Sequence, residues 1–194
     1  MASRATEIGI RPLTPALWKD LERLFGPRGA CAGCWCMYWR RTAGEYRAGQ
    51  GAGNRRALKR LVTQRKAHGL IAFEGHEPIG WLSLGPRADF PRLDGSRILS
   101  PVDDRPVWSV TCLFIARGQR RRGLSVRLLE AAAAYAARHG ARLLEGYPQS
   151  ARGRHLPEAF AWTGIESAFT RAGFDEVARR SPTRPIMRRP VGAG

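Results

Sequence analysis

The chain has 194 residues, 43% of them hydrophobic, a length and composition typical of one compact domain spanning residues 1–194. Basic residues outnumber acidic ones by 33 to 16, and this net charge of +17 favours anionic ligands. No uncharged apolar stretch approaches the roughly 18 residues of a membrane span, and the N-terminus lacks an apolar signal core. We therefore expect no membrane contact and a cytoplasmic location with reduced thiols.

The first half of the chain predicts a strand, two helices and a hairpin. Residues 7–13 are strand-like, and apolar side chains recur at helical spacing from Trp18 to Phe25. A second helix should begin at Asn54 and run to about His68, with Gly69 as its stop. A hairpin follows, with strands at residues 70–73 and 79–84.

The second half predicts a βαβ unit. Residues 107–116 form the most strand-like run, an Ala- and Leu-rich helix follows Gly123, and residues 142–147 form a second buried strand. This order requires parallel strands and a right-handed crossover. A polar, disordered or lid-like connection at 149–162, a helix at 164–171 and strands at 174–179 and 184–189 complete an α+β domain around a mixed sheet.

A basic turn, Arg120-Arg121-Arg122-Gly123-Leu124-Ser125, joins the first of these strands to the helix. A helix N-terminus presents unpaired N–H groups and a partial positive charge, which suit a pyrophosphate. Gly123 lets the backbone approach an anion, small Ser125 keeps the first helical turn open, and the arginines add attraction. A solvated basic turn is the alternative.

This turn resembles the phosphate turn of the GNAT superfamily of acyl-CoA-dependent N-acyltransferases, Gln/Arg-x-x-Gly-x-Gly/Ala. Arg120 and Gly123 match, whereas Ser125 replaces Gly or Ala. The order of elements and the tripeptide Ala172-Gly173-Phe174 also resemble the family, and residues 33–39 resemble a bacterial branch of it. The resemblance implies a mixed, mostly antiparallel central sheet with flanking helices and a splayed parallel strand pair at the cofactor cleft.

The same resemblance implies acetyl-CoA as the acyl donor, with its pyrophosphate on residues 120–125. Its pantetheine arm and thioester carbonyl would pair with the backbone of Leu113, Phe114 and Ile115. The family often places a tyrosine as general acid where this chain has Phe169, and a glutamate base where it has Ser109. Neither family group is therefore present, although Phe169 still lies where the resemblance places the CoA sulfur.

Replacements for these groups come from residues near the expected cleft. Tyr147, at the end of the second splayed strand, is our candidate acid, with packing on the cofactor as the alternative. Ser109 and Cys112 are candidate proton carriers, with core packing as the alternative. Glu166, like Glu145, is a candidate base. Asp104, with its neighbour Asp103, is a candidate for binding a cationic amine or for forming a turn.

The segment around residues 25–46 should form a wall of the acceptor pocket, shaped by Trp35, Tyr38 and Trp39, with core packing as the alternative. Its three cysteines have the spacing C-x2-C-x-C, and zinc would need a fourth ligand from elsewhere. Because no second C-x2-C pair exists, we predict small buried side chains and no metal. These cysteines are Cys31, Cys34 and Cys36.

The leading functional hypothesis is acetyl transfer from acetyl-CoA to a primary amine of a small molecule, by direct attack in a ternary complex. In a second hypothesis, the basic regions bind tRNA, and the acceptor is the amino group of an aminoacyl-tRNA. A third is a non-enzymatic, basic nucleic-acid-binding module, although the basic stretches lack regular aromatic interleaving. The family resemblance also implies a homodimer.

Overall fold

The computed structural model describes residues 7–150 and 162–192, and these residues form a seven-stranded sheet flanked by helices. The strands are β1 (Ile8–Pro12), β2 (His68–Glu74), β3 (Glu77–Pro86), β4 (Trp108–Ile115), β5 (Leu143–Gly146), β6 (Asp175–Arg179) and β7 (Pro185–Pro190). The helices are α1 (Trp18–Phe25), α2 (Ala43–Ala48), α3 (Ala52–Thr63), α4 (Leu124–Arg138) and α5 (Glu166–Arg171). Short 3₁₀ turns occupy Pro15–Leu17, Arg87–Asp89, Pro91–Leu93 and Arg117–Gln119.

The order of the strands across the sheet is β1-β2-β3-β4-β5-β7-β6, and only β4 and β5 run parallel. This confirms the expected α+β fold with a mostly antiparallel sheet. The parallel pair is short, because it joins Trp108, Ser109 and Val110 of β4 to Leu144, Glu145 and Gly146. Beyond Val110, β4 continues to Ile115 while β5 ends, so the two strands separate there.

Helices cover both faces of the sheet. On one face, α4 packs on β2, β3 and β4, and its small alanines allow a close approach to a core that includes Leu82, Val110 and Phe169. On the other face, Leu21 of α1 and Leu58 of α3 share a second core with Ile71, Trp81 and Cys112. Of the helices in the described parts of the chain, none is long and apolar enough to cross a membrane.

Two predictions about α3 were wrong. The helix begins at Ala52 rather than at Asn54, and Asn54 is a fully buried residue whose side-chain nitrogen donates to the carbonyls of Gly33 and Tyr46 at 3.3 Å. The helix also ends at Thr63, because His68 and Gly69 belong to β2, where Trp81 packs directly over Gly69. Asn54 therefore anchors the cysteine-rich segment instead of capping a helix.

Helix α2 was not predicted, although its signal is present in the sequence. Thr42 and Glu45 form a reciprocal capping box, in which the Glu45 carboxylate accepts from the Thr42 backbone N–H at 2.9 Å. The remaining predicted elements are present with ends shifted by a few residues. Most of the predicted connection at 149–162 lies outside the described residues.

Candidate active site

The separation of β4 from β5 opens a cleft along β4. On one side, Leu113, Phe114 and Ile115 pair with Leu82, Trp81 and Gly80 of β3. A register shift between Ser83 and Leu84 leaves Thr111 as an extra residue in β4, and this bulge coincides with the end of the pairing with β5. In the described part of the chain, no strand pairs with the β5-facing side of residues 111–115. An extended ligand can pair there as an added strand.

The basic turn lies at the end of the same strand. Gly123 is the N-cap of α4 in the left-handed conformation (φ +74°), and no described heavy atom lies within 4 Å of the place a Cβ would take. As a glycine it brings no capping side chain, so the first N–H groups of α4, at Leu124 and Ser125, are available to an anion. The turn therefore fits a pyrophosphate group.

The three arginines of the turn have different surroundings. Arg120 Nε donates to the Ile115 carbonyl at 3.3 Å, which ties the turn to the end of β4. Arg122 forms an ion pair with Glu74 of β2 at 2.7 Å, which raises the pKa of Arg122 and lowers that of Glu74. Arg121 is exposed and adopts a positive φ of 62°. Two of the arginines therefore hold the turn to neighbouring strands, and the side chain of Arg121 is exposed.

A buried polar cluster lies where β4 and β5 separate. Tyr147, the residue after β5, is fully buried, and its hydroxyl donates to Glu145 Oε1 at 2.7 Å. The same hydroxyl lies 2.8 Å from Ser109 Oγ and accepts from Arg87 Nη1 at 2.9 Å. Burial, with the negative charge of Glu145, raises the pKa of Tyr147 well above its usual value. Tyr147 is therefore a neutral hydroxyl at neutral pH.

Glu145, at the centre of this cluster, is fully buried between two arginines. Arg87 Nη1 donates to its Oε1 at 3.0 Å, and Arg188 Nε donates to its Oε2 at 2.7 Å. Arg188 Nη1 also contacts Asp103 Oδ2 at 2.7 Å, and Arg188 together with Arg105 holds the pKa of Asp103 well below its usual range. A buried carboxylate with two guanidinium partners is charge-compensated, which offsets much of the cost of burying it.

Sequence analysis did not single out Arg87 or Arg188. Arg87 lies in the irregular connection after β3, where no pattern fixes the direction of a side chain. A weak indication of Arg188 was present in the sequence, because it is a charged residue at an inward position of a predicted strand. In the structure, β7 places it directly opposite Glu145. The structure thus brings together Ser109 and Tyr147 with these two residues.

Two other candidate catalytic residues lie outside the buried polar cluster. Cys112 is buried beside Cys36, and that contact together with burial raises the pKa of Cys112 well above its usual value. Glu166, in the first turn of α5, forms an ion pair with Arg179 at 2.5 Å. Phe169, in the same helix, is fully buried against Gly146 and Gly164.

The acceptor candidates divide into two groups. Tyr38 and Trp39 form an aromatic cluster with Trp162, with ring centroids 5.3 Å and 5.8 Å from that of Trp162. Trp35 instead packs into the core against Trp18 and Phe25 of α1, at centroid distances of 6.1 Å and 5.5 Å. Asp104 is exposed, next to Asp103. The aromatic cluster of Tyr38, Trp39 and Trp162 is therefore the candidate wall of the acceptor pocket.

The cysteine-rich segment is held by hydrogen bonds. Cys36 Sγ accepts from Trp81 Nε1 at 3.1 Å, and Cys34 Sγ donates to the Gly29 carbonyl at 3.5 Å. Burial, with the neighbouring Cys36, raises the pKa of Cys34 to about 12. Over residues 7–150 and 162–192, His, Cys, Asp and Glu side chains form no group of three that could hold a metal ion. Metal binding requires a thiolate, and the burial of Cys34 opposes one at that position.

A splayed parallel strand pair with a glycine-capped anion turn at its end is the arrangement of an acyl-CoA-dependent acyltransferase. The model of the acetyltransferase (GNAT) family matches residues 30–160. The chain therefore belongs to the GNAT acetyltransferase family, whose acyl donor is acetyl-CoA. Among curated proteins, no relative matches.

Solved structures share the fold at low sequence identity. An acetyltransferase from Thermus thermophilus is 22% identical, with 97% of this chain and 100% of that chain covered and a TM-score of 0.55. The PaiA N-acetyltransferase of Thermoplasma acidophilum, solved with coenzyme A, is 15% identical, with 95% and 99% covered and a TM-score of 0.53. The yncA protein of Salmonella typhimurium, solved with acetyl-CoA, is 13% identical, with 95% and 94% covered and a TM-score of 0.56.

Proposed function

We propose that this protein binds acetyl-CoA along β4 and transfers the acetyl group directly to a primary amine of a small molecule. One observation carries the proposal: the unpaired side of residues 111–115 leads directly to the glycine-capped N-terminus of α4. A ligand with an extended amide-containing arm and a pyrophosphate matches both features.

The chain supplies the binding groups as follows. The N–H groups of Gly123, Leu124 and Ser125 hold the pyrophosphate, and the guanidinium groups of residues 120–122 add electrostatic attraction. The backbone of Leu113, Phe114 and Ile115 pairs with the pantetheine arm. Acetyl-CoA itself supplies an acyl group activated as a thioester. Phe169 closes the apolar floor beside the sulfur and donates no proton.

The chemistry asks this chain to orient the amine, to stabilise negative charge on the carbonyl oxygen and to move protons. We assign the oxygen to a backbone N–H of residues 113–115. We assign proton movement to Tyr147, linked to the cleft by Ser109, with Arg87 beside the hydroxyl to stabilise negative charge that develops on it. Cys112 and Glu166 remain further candidates, and Asp104 a candidate contact for the amine.

A second candidate acceptor is aminoacyl-tRNA, and the exposed face of α3 favours it. Arg56 lies one helical turn before the adjacent residues Lys59 and Arg60, all three are exposed, and α3 contains no acidic residue. A row of cations without acids suits a phosphate backbone. On this alternative the acceptor amine belongs to the aminoacyl group, and the donor site is the same.

Thermal unfolding tests the donor site. A ligand that binds only the folded state raises the unfolding midpoint, by about 2.7 kcal/mol of added stability at 100 times its dissociation constant. We expect acetyl-CoA and CoA to raise the midpoint by several degrees, and a screen of primary amines with thiol detection then identifies acceptors. An unchanged midpoint with both ligands would contradict the proposal.

A further inference from the structure

Arg184, just before β7, is a partly buried arginine whose side-chain partners in the described part of the chain are neutral. Its Nη1 donates to Thr163 Oγ1 at 3.2 Å and, in the amide orientation that satisfies both ends of Gln149, to that side-chain oxygen at 2.6 Å. Burial lowers the pKa of Arg184, and the nearby Tyr38 offsets this only in part. In residues 7–150 and 162–192, no carboxylate lies within ion-pair distance of Arg184.

Three other buried or partly buried arginines of this region are each paired with a carboxylate. Arg87 and Arg188 share Glu145, and Arg40 contacts Asp89 Oδ2 at 3.3 Å. A buried cation is costly unless an anion compensates it. Arg184 has no such partner among the described residues, so its guanidinium is suited to an anion that arrives with a ligand.

A chain of contacts connects Arg184 to the cleft along β4. Thr163, which accepts from Arg184, is followed by Gly164, where a Cβ would come within 2.9 Å of Leu113 Cδ1. The Gly164 carbonyl accepts from the Gln149 backbone N–H at 2.9 Å, and Gln149 follows Tyr147 by two residues. Arg184 therefore lies close to the strand on which we place the thioester.

The aromatic cluster beside Arg184 also contains a hydrogen-bond donor without an acceptor. Trp39 Nε1 is buried without a hydrogen-bond partner in the described part of the chain. The guanidinium of Arg92 stacks on the ring of Tyr38, 3.9 Å from its centroid, and it too has no carboxylate partner there. The unmet groups around this cluster are donors and cations, so the complementary ligand group is an acceptor with negative charge.

We propose that Arg184 binds an anionic group of the acceptor, a carboxylate or a phosphate, and so selects amines that carry a negative charge and an apolar or aromatic portion. This inference rests on the proposed function and names the substrate class of the same site. A guanidinium offers paired N–H donors that match both carboxylate and phosphate oxygens. The aromatic cluster would contact the apolar portion, while the amine faces the cleft along β4. Arg184 takes no part in bond making.

Matched acceptor pairs test this selection on the unmodified protein. Two pairs differ by a carboxylate: tryptophan and tryptamine, and phenylalanine and phenethylamine. A third pair, O-phosphoethanolamine and ethanolamine, differs by a phosphate. We expect kcat/KM at least tenfold higher for the charged member of the carboxylate pairs or of the phosphate pair. The pair that responds identifies the anion. Equal use of both members in every pair, or transfer to none of them, would overturn the inference.

Variants assign the selection to Arg184. Arg184→Met should reduce the preference for the charged member at least tenfold while leaving kcat/KM for the uncharged member within about twofold. Arg184→Lys keeps the charge and should retain part of the preference. Arg142→Met, a change at an exposed arginine just before β5, is the matched control and should preserve the preference. A preference that survives Arg184→Met would overturn the assignment.

Two readouts separate this inference from the proposed function. If acetyl-CoA fails to raise the unfolding midpoint of the unmodified protein, the proposed function itself is wrong. If acetyl-CoA binds and the uncharged amines are acetylated as well as the charged ones, only the anion selection is wrong. Should Arg184→Met not fold, the acceptor pairs and Arg184→Lys still decide the question.

Discussion

Tyr147 and Glu145 stand at alternate positions at the end of β5, so their side chains lie on one face of the sheet. Their partners come from three distant parts of the chain: Ser109 from β4, Arg87 from the connection after β3, and Arg188 from β7. The charges of Arg87, Arg188, Glu145 and Asp103 cancel, which removes the main cost of burying them. This cluster lies at the point where β5 leaves β4, beside the cleft.

Removing the Tyr147 hydroxyl tests whether this group moves the proton. Tyr147→Phe removes a hydroxyl with three hydrogen-bond partners, so we expect stability to fall by about 1–3 kcal/mol. If Tyr147 moves the proton, kcat should fall at least tenfold, with acetyl-CoA affinity unchanged. Steady-state kinetics and ligand titration measure the two effects.

Tyr135→Phe is the matched control for this substitution. The Tyr135 hydroxyl lies 2.9 Å from His68 Nδ1, in an aromatic group of α4, β2 and β4 that is separate from the hydrogen-bond partners of Tyr147. We expect Tyr135→Phe to leave kcat unchanged. Normal turnover in Tyr147→Phe would instead assign Tyr147 to packing and to the positioning of β5.

Among the helices, strands and turns of the site, those that depend on a short stretch of sequence could be predicted. The turn at Gly123 connects a strand to a helix within a few residues, so its sequence alone indicated an anion site. The strands β4 and β5 were predicted for the same reason, from short apolar runs. These runs could not show where the two strands separate, because that depends on the bulge at Thr111 and on the partners of Glu145.

The sequence could not predict the roles of residues whose partners lie in irregular segments. Asn54 resembles a helix cap because asparagine is common there, but its long-range bonds to Gly33 and Tyr46 decide its role. Arg184 likewise appeared only as one of five arginines near the C-terminus. Its surroundings come from Thr163 and Gln149, which the fold brings together from separate connections.

The two ends of α4 offer a controlled test of the anion turn. Gly123 and Gly140 both have left-handed φ, at +74° and +79°, with open space where a Cβ would be. Valine at either position should therefore cost a similar backbone strain, about 1–2 kcal/mol. Only Gly123→Val should also weaken acetyl-CoA binding, by about 2 kcal/mol or more, because it disturbs the N–H groups that face the pyrophosphate.

Calorimetric titration with acetyl-CoA checks this expectation, and thermal unfolding confirms that both variants fold. Equal affinities in Gly123→Val and Gly140→Val would mean that the pyrophosphate does not lie on this turn. A loss confined to Gly123→Val would place the anion at the N-terminus of α4, because strain alone is matched between the two variants.

The start of β2 carries a pH-sensitive residue. Burial, and then the positive charge of His139, lowers the pKa of His68 below its ordinary value of 6.5. The folded state thus binds fewer protons than the unfolded state, so its stability is present above pH 6.5 and falls as the pH drops below it. We therefore expect the unfolding temperature to decrease as the pH is lowered from 7.5 to about 5.5.

His68→Gln should make this fall smaller, and His76→Gln, at an exposed turn residue, should leave it as in the unmodified protein. Thermal unfolding of the three proteins across this pH range makes the comparison. An identical pH dependence in His68→Gln would show that other groups dominate the titration.

At the scale of the whole molecule, the excess of cations is distributed unevenly. Many arginines are engaged inside the fold, as Arg87 and Arg188 are with Glu145. The exposed face of α3 differs, because its cations point to solvent while Asn54, Ala57, Leu58 and Val62 occupy the buried face. This face is the surface on which an RNA acceptor would depend.

Salt dependence of tRNA binding distinguishes a specific surface from net charge. Each phosphate contact that is lost should reduce the slope of log affinity against log salt by about 0.7–0.9. We expect replacement of Arg56, Lys59 and Arg60 by glutamine to reduce this slope by about 2–3 if α3 binds tRNA. Replacement of the exposed Arg97, Arg138 and Arg142 removes the same charge elsewhere and should change it less. Equal changes in both triple variants would mean that net charge alone attracts tRNA, and no binding by the unmodified protein at low salt would exclude the RNA acceptor.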